Sequence, residues 1–253
     1  RIVQGTTAHT TAKLTSQHHL FYAKLKRQRG SEIARGYAEA NQAAIQFVAK
    51  LVEEKRIDCD FSWQPAYVYT LQDQYIDQIA EEQKVAAELG IKAYCDEKIP
   101  LPLPVKAALP FEGQAQFHPR KYLLALAQEL TQMGCAIFEH SRVVDIQGNA
   151  PYTVLVHNGR QVSADYVVIA SHYPCQNYKG LYFARLFPER AYALAVKAKE
   201  SFPGGMYLSA EDPPRSLRSL PAEQGELILI VGENHKTGHG QNLNQHYQNL
   251  LSF

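Results

Sequence analysis

The spacing of apolar residues changes several times along the chain, and each change marks an element. Over residues 31–55, Ile33, Tyr37, Ala40, Ala44, Phe47, Val48 and Leu51 recur at helical intervals. This predicts one long helix with Ser31 as its cap and Glu32 close behind. A shorter helix is expected over 13–26, where Leu14, Leu20, Phe21 and Leu25 share a side and Gly30 ends the pattern. A third is expected over 73–89, stopped by Gly90. Between them, Trp63, Tyr67, Val68 and Tyr69 give residues 61–71 a strand-forming run, with Pro65 suited to its start. Pro100, Pro102, Pro104 and Pro110 then mark a connection that is neither helix nor central strand.

The second half repeats the alternation. Pro119 opens a helix whose face carries Leu123, Leu126, Ala127 and Leu130, and Gly134 closes it. Strands are expected over 136–139 and 142–146, followed by a hairpin, 152–157 and 160–163, turning on Asn158-Gly159. Residues 165–171, Asp-Tyr-Val-Val-Ile-Ala-Ser, form a continuous apolar run of the kind buried on both faces of a parallel sheet. From 181 to 232 the pattern suits an antiparallel sheet. Tyr192, Leu194 and Val196 share one side, and 205–209 and 226–231 add strands.

Net charge is +1, from 26 basic and 25 acidic residues, so no global field recruits nucleic acid or an anionic membrane. No apolar run approaches the roughly 20 residues of a membrane helix. Cys59, Cys95, Cys135 and Cys175 form no C-x-x-C pair, which argues against a zinc or iron–sulfur site in this chain and fits a reduced, cytoplasmic setting. His235 and His239 stand four apart with His246 beyond, but Gly238 and Gly240 break the helix that would align them, so no metal is expected. The His18-His19 pair is weaker still, since adjacent helical residues diverge. Ser171-His172 lacks a G-x-S-x-G elbow and makes no hydrolase.

Two features carry chemistry. The opening block, Gly5-Thr6-Thr7-Ala8-His9-Thr10-Thr11-Ala12-Lys13-Leu14-Thr15-Ser16-Gln17-His18, sets small hydroxyl residues ahead of a helical pattern. It reads either as an ordinary capped helix start or as a phosphate-holding one. Arg218 can grip a carboxylate bidentately, or it can be a surface arginine on an edge strand.

That block, followed by helix, strand, Val143-Val144-Asp145-Ile146, a hairpin and Ala164-Asp165-Tyr166-Val167-Val168-Ile169-Ala170-Ser171, resembles FAD-dependent oxidoreductases of the D-amino-acid oxidase/glycine oxidase superfamily, some of which carry a Rieske domain. The resemblance covers nearly the whole chain and implies an α/β (α+β) fold: a partial Rossmann-like FAD-binding domain with an antiparallel-sheet substrate domain. It places 1–60 and 111–180 in the FAD-binding domain, and 61–110 and 181–253 in the substrate domain. It implies FAD as cofactor, held by Gly5, Thr6, Thr7, His9, Thr10 and Thr11 near the pyrophosphate or ribityl chain. Val143 or Val144 would meet adenine, and Ala170 and Ser171 would run beneath the cofactor. His172 stands where the family has glycine. Residues 213–219 look like the family's returning strand and 232–240 like its glycine-rich loop. Arg218 and Tyr207 are the implied contacts for a small amine or amino-acid substrate. No residue stands out as catalytic, because the flavin accepts the hydride and the protein positions and tunes.

The resemblance further implies the middle of a longer protein, with the G-x-G-x-x-G unit before Arg1 and a final FAD-binding segment after Phe253. Such a piece is expected to expose sheet edge and apolar helix face and to self-associate. A catalytically silent piece, or a non-flavin binding module on the same scaffold, is the alternative.

Overall fold

A computed structural model describes residues 1–96, 98–223, 225–240 and 242–253. A short strand β1 (Lys13–Leu14) leads into helices α1 (Tyr22–Arg29) and α2 (Ser31–Glu54). Strand β2 (Ser62–Thr70), helix α3 (Ile76–Glu88), strand β3 (Ala107–Gln116) and helix α4 (Pro119–Gln132) follow. Next come β4 (Val143–Gln147), β5 (Tyr152–Val156), β6 (Gln161–Ala164) and the single turns α5 (Asn177–Gly180) and α6 (Tyr182–Arg185). The chain ends with β7 (Glu189–Val196), β8 (Met206–Ser209), β9 (Ser216–Ala222), β10 (Gly225–Lys236) and α7 (Leu243–Leu251). Two compact units result, one of residues 1–10 and 123–188 and one of 11–122 and 189–253.

The larger unit is a seven-stranded sheet in the order β1-β3-β2-β8-β9-β10-β7. Every pairing is antiparallel except β2 with β8, which runs parallel from Ala66 opposite Met206 to Tyr69 opposite Ser209. The expected antiparallel sheet is therefore mixed at its centre. Alternation along β2 sends Val68 into a core with Leu109, Phe111, Tyr22, Ala34 and Ile79, built with the three helices. It sends Tyr67 and Tyr69 into a second core with Tyr207 and Leu217. The proline-rich connection covers that second face through Leu101, Leu103 and Val105.

Local expectations fail where distant groups take over. Residues 13–21 are not helical: Lys13 and Leu14 pair with Gln116 and Ala115, and α1 starts only at Tyr22. The reason is a buried polar network. Gln114 Oε1 accepts the Ser16 amide (2.7 Å), Gln17 Nε2 donates to the Leu109 carbonyl (2.6 Å), and Tyr22 Oη donates to the Ser16 carbonyl (2.7 Å). These bonds satisfy the segment's polar groups without a helix. At the head of α2, Gly30 (φ 86°) rather than Ser31 occupies the cap position.

Two prolines sit inside strands. Pro65 lies at a register shift between Gln64 and Ala66, where the ladder is already broken. Pro110 faces Tyr67 within β3. Two residues earlier the Ala108 amide points outward to the Asp96 carbonyl (2.7 Å), so the donor that Pro110 lacks would also have pointed away from β2. The proposed loop at 232–240 is strand as far as Lys236, with an irregularity between Gly232 and His235.

The smaller unit contains α4's last turns and the antiparallel sheet β4-β5-β6, whose hairpin turns at Asn158-Gly159 (Gly159 φ 82°) as expected. Residues 136–139 and 165–171 are not strands. The second run is exposed, Tyr166 by 90% and Val168 by 86%. A strand meant for burial on both faces exists only with neighbours on both edges, and among the described residues none pairs with it. No helix among the described residues is long and apolar enough to cross a membrane.

Candidate functional site

In the smaller unit, the 167–171 run and β4–β5 enclose an open cavity of about 380 Å³. Val143, Ile146 and Val154 supply an apolar wall, Ala170 and Ser171 close one end, and Arg142 adds a cation. Val144, 44% exposed, is not part of that wall; it sits at the irregularity between Val143 and Asp145 in the β4–β5 ladder. An apolar slot with a guanidinium on its lining can hold a planar ring attached to an anionic chain.

The opening block does not start a long helix. Thr6–His9 form one 3₁₀ turn, preceded by Gly5 without a side-chain cap. The His9 imidazole Nδ1 lies 3.0 Å from the Gly5 carbonyl. Thr6 Oγ1 lies 2.9 Å from His172 Nδ1, which ties the block to the residue following Ala170-Ser171. Gly5, Thr6, Thr7, His9 and Thr10 are exposed, and a Cβ on Gly5 would meet nothing within 4 Å. Thr11 belongs to the larger unit.

That larger unit holds the second constellation. Arg218 lies mid-sheet, opposite Met206 on β8 and Leu229 on β10, not on an edge strand. It is 8% exposed, and its Nε is buried without a hydrogen-bond partner. Burial disfavours its charge. Lys13, delivered by β1, donates from Nζ to the Tyr207 carbonyl at 2.7 Å. Burial, and then the neighbouring Arg218 charge, push Lys13 down to about 7. No carboxylate among the described residues acts on either cation. The Tyr207 ring is turned into the second core, stacked on Tyr67 with centroids 4.8 Å apart, so its carbonyl and not its ring meets Lys13.

Nothing in the sequence pattern gives Lys13 or His172 a role at the site. Helical spacing over 13–26 hides Lys13, and only its pairing with β3 sets its Nζ on the Tyr207 carbonyl, next in β8 to Met206, the partner of Arg218. His235 stacks on Tyr192 and His246 (5.7 and 4.8 Å), and Glu233 binds Arg215, His246 and Asn249. Among the described residues, no His, Cys, Asp or Glu group is placed to hold a metal.

The family model for FAD-dependent oxidoreductases (DAO) matches residues 1–252. The chain belongs to that family. It is 39% identical over 250 residues to the putative Rieske 2Fe-2S iron-sulfur protein YhfW of Bacillus subtilis strain 168, covering 99% of this chain and 49% of that protein. The chain thus spans about half the length of the curated relative it matches. Its fold is similar to glycine oxidase of Bacillus cereus (TM-score 0.70, 18% identity, 100% of this chain and 68% of that one). It is also similar to L-alpha-glycerophosphate oxidase of Mycoplasma pneumoniae with FAD bound (0.64, 15%, 92% and 63%). FAD is the cofactor of the family, and the donor set here suits it. The slot is apolar where a ring would lie, while Arg142 and the threonine hydroxyls offer the cation and donors that phosphate oxygens take.

Proposed function

We propose that the protein oxidises the C–N bond of an amino acid or related amine, and that this chain supplies part of its FAD-binding and substrate-binding surfaces. The observation that carries the reading is Arg218. A buried guanidinium with an unpartnered Nε and no carboxylate partner among the described residues is costly unless an anion completes it. An amino-acid carboxylate matches its planar fork. When bound, FAD would accept the hydride from the carbon bearing nitrogen, leaving an imine for water to hydrolyse. The chain's own residues orient and desolvate: Arg218 fixes the carboxylate, and the Tyr207 carbonyl fixes Lys13 beside it.

On this reading Gly5, Thr6, Thr7, His9, Thr10 and Thr11 follow the pyrophosphate or ribityl chain, Val143 or Val144 meets the adenine, and Ala170 and Ser171 underlie the cofactor. The functional division, 1–60 with 111–180 for FAD and 61–110 with 181–253 for substrate, assigns 11–60, 111–122 and 181–188 differently from the compact units. A Rieske domain elsewhere in the protein is supported by the name and length of the Bacillus subtilis relative. A cytoplasmic setting is supported by four free cysteines.

Anaerobic mixing of the flavin-loaded protein with amino acids, N-alkyl amino acids and glycerol phosphate tests the reading. Bleaching of the flavin band by an amine-bearing carboxylate, lost in Arg218→Met, is the expected result. Bleaching by the alcohol alone overturns it.

A further inference from the structure

Lys13 and Arg218 present more hydrogen-bond donors, and more positive charge, than one carboxylate can take. An ammonium has about three N–H donors and a guanidinium about five, whereas a carboxylate accepts roughly four. Among the described residues one of these is used, Lys13 Nζ to the Tyr207 carbonyl. Arg218 Nε is buried and unpartnered, and no carboxylate among the described residues faces either group. Both belong to the same compact unit, and separate strands fix them: β1 holds Lys13 against β3, and β9 holds Arg218 between β8 and β10. Lys13 Nζ ends on the carbonyl of Tyr207, the residue after Met206, which pairs with Arg218, so two cations serve one stretch of β8 and the arrangement is relieved when each gains an anion.

We infer that Lys13 and Arg218 form a two-carboxylate subsite, so that the substrate is an amino acid or amine carrying two acidic groups. This rests on the reading of Arg218 as the carboxylate grip and adds the substrate class. Arg218 takes the carboxylate next to the reacting carbon, since its fork suits a bidentate contact that fixes orientation. Lys13 takes the second acid as a point charge on a flexible stem, which tolerates some variation in the spacing between the two acids. An uncharged or basic side chain would leave Lys13 uncompensated, and that penalty is a basis for specificity.

The test is calorimetric binding of butanoate, succinate and glutarate to the protein at about pH 6, where Lys13 is charged. The expected result is that one of the dicarboxylates binds about tenfold or more tightly than butanoate, the equivalent of one good charge contact. Lys13→Met should erase that preference, so that the dicarboxylates bind no more tightly than butanoate, and Lys13→Arg should keep it. Equal binding of mono- and dicarboxylates by the unaltered protein overturns the inference without any variant having to fold. So does a Lys13→Met variant that weakens all three ligands alike, since Lys13 would then share the one carboxylate with Arg218. In both cases the amine-oxidation reading stands if Arg218→Met still abolishes butanoate binding. If Arg218→Met leaves every affinity unchanged, the reading of Arg218 fails as well.

Discussion

Glu82 Oε1 accepts the backbone amide of Tyr22 at 2.6 Å, although the two residues lie on different helices. The same carboxylate also takes the amides of Phe21 (2.8 Å) and Ala23 (2.7 Å). It thereby caps α1, which has no side-chain cap of its own. Burial raises the Glu82 pKa, and the three amides pull against it. Glu82→Ala strands three amide donors and should lower unfolding stability by about 2–3 kcal/mol. Glu82→Gln, which retains one acceptor oxygen, should cost less. Urea titration of both variants checks the order.

Lys13 makes stability depend on pH with a defined sign. Its pKa falls from the ordinary 10.5 to about 7, so between those values the unfolded chain holds a proton that the folded chain does not. Stability therefore rises with pH across that window. Below about 7 both states are charged and the desolvation cost is present in full. Lys13→Met should be more stable than the parent near pH 6 by on the order of a few kcal/mol, and the gap should close by about pH 10. Thermal unfolding across that range measures it, and a pH-independent gap would refute the burial argument.

Tyr207 is fully buried, and its hydroxyl has no hydrogen-bond partner. Tyr207→Phe removes that unmet group and should leave stability unchanged or raise it by about 1 kcal/mol. Tyr207→Ala removes the stack on Tyr67 and should cost about 3–5 kcal/mol. Denaturant midpoints separate the two.

The bond between Thr6 and His172 is exposed, so Thr6→Val should change stability by less than about 1 kcal/mol. On the proposed cofactor reading it should weaken FAD binding by roughly tenfold through loss of the ordered turn. Because the pair acts as one unit, adding His172→Ala should weaken it no further. Flavin fluorescence quenching reads both effects.

The Tyr166 and Val168 side chains are exposed, and the chain is expected to self-associate through them. Val168→Asp should shift the chain toward monomer in light scattering with the fold retained. A parent chain that is already monodisperse and monomeric overturns the expectation.

Much of the molecule is legible in local pattern. The long helix α2, the helical turns after Pro119 and the Asn158-Gly159 hairpin depend on neighbours within a few residues, which sequence spacing records directly. The family resemblance rested on such blocks, and it located Arg218 without showing what lies beside it. Partner choice is different, because a strand is stabilised by what pairs with it and an apolar run does not name its neighbour. The 165–171 run was apolar enough for a central strand and is exposed, whereas residues 13–14, placed in a helix by their spacing, became a strand because β3 offered an edge. Local pattern was enough for α2, the helix after Pro119, the hairpin and the family, because each is written in residues close together in the chain. The parallel β2–β8 junction and the reach of Lys13 to the Tyr207 carbonyl came only with the tertiary structure, since both join segments far apart in the chain through a sheet that exists only when folded.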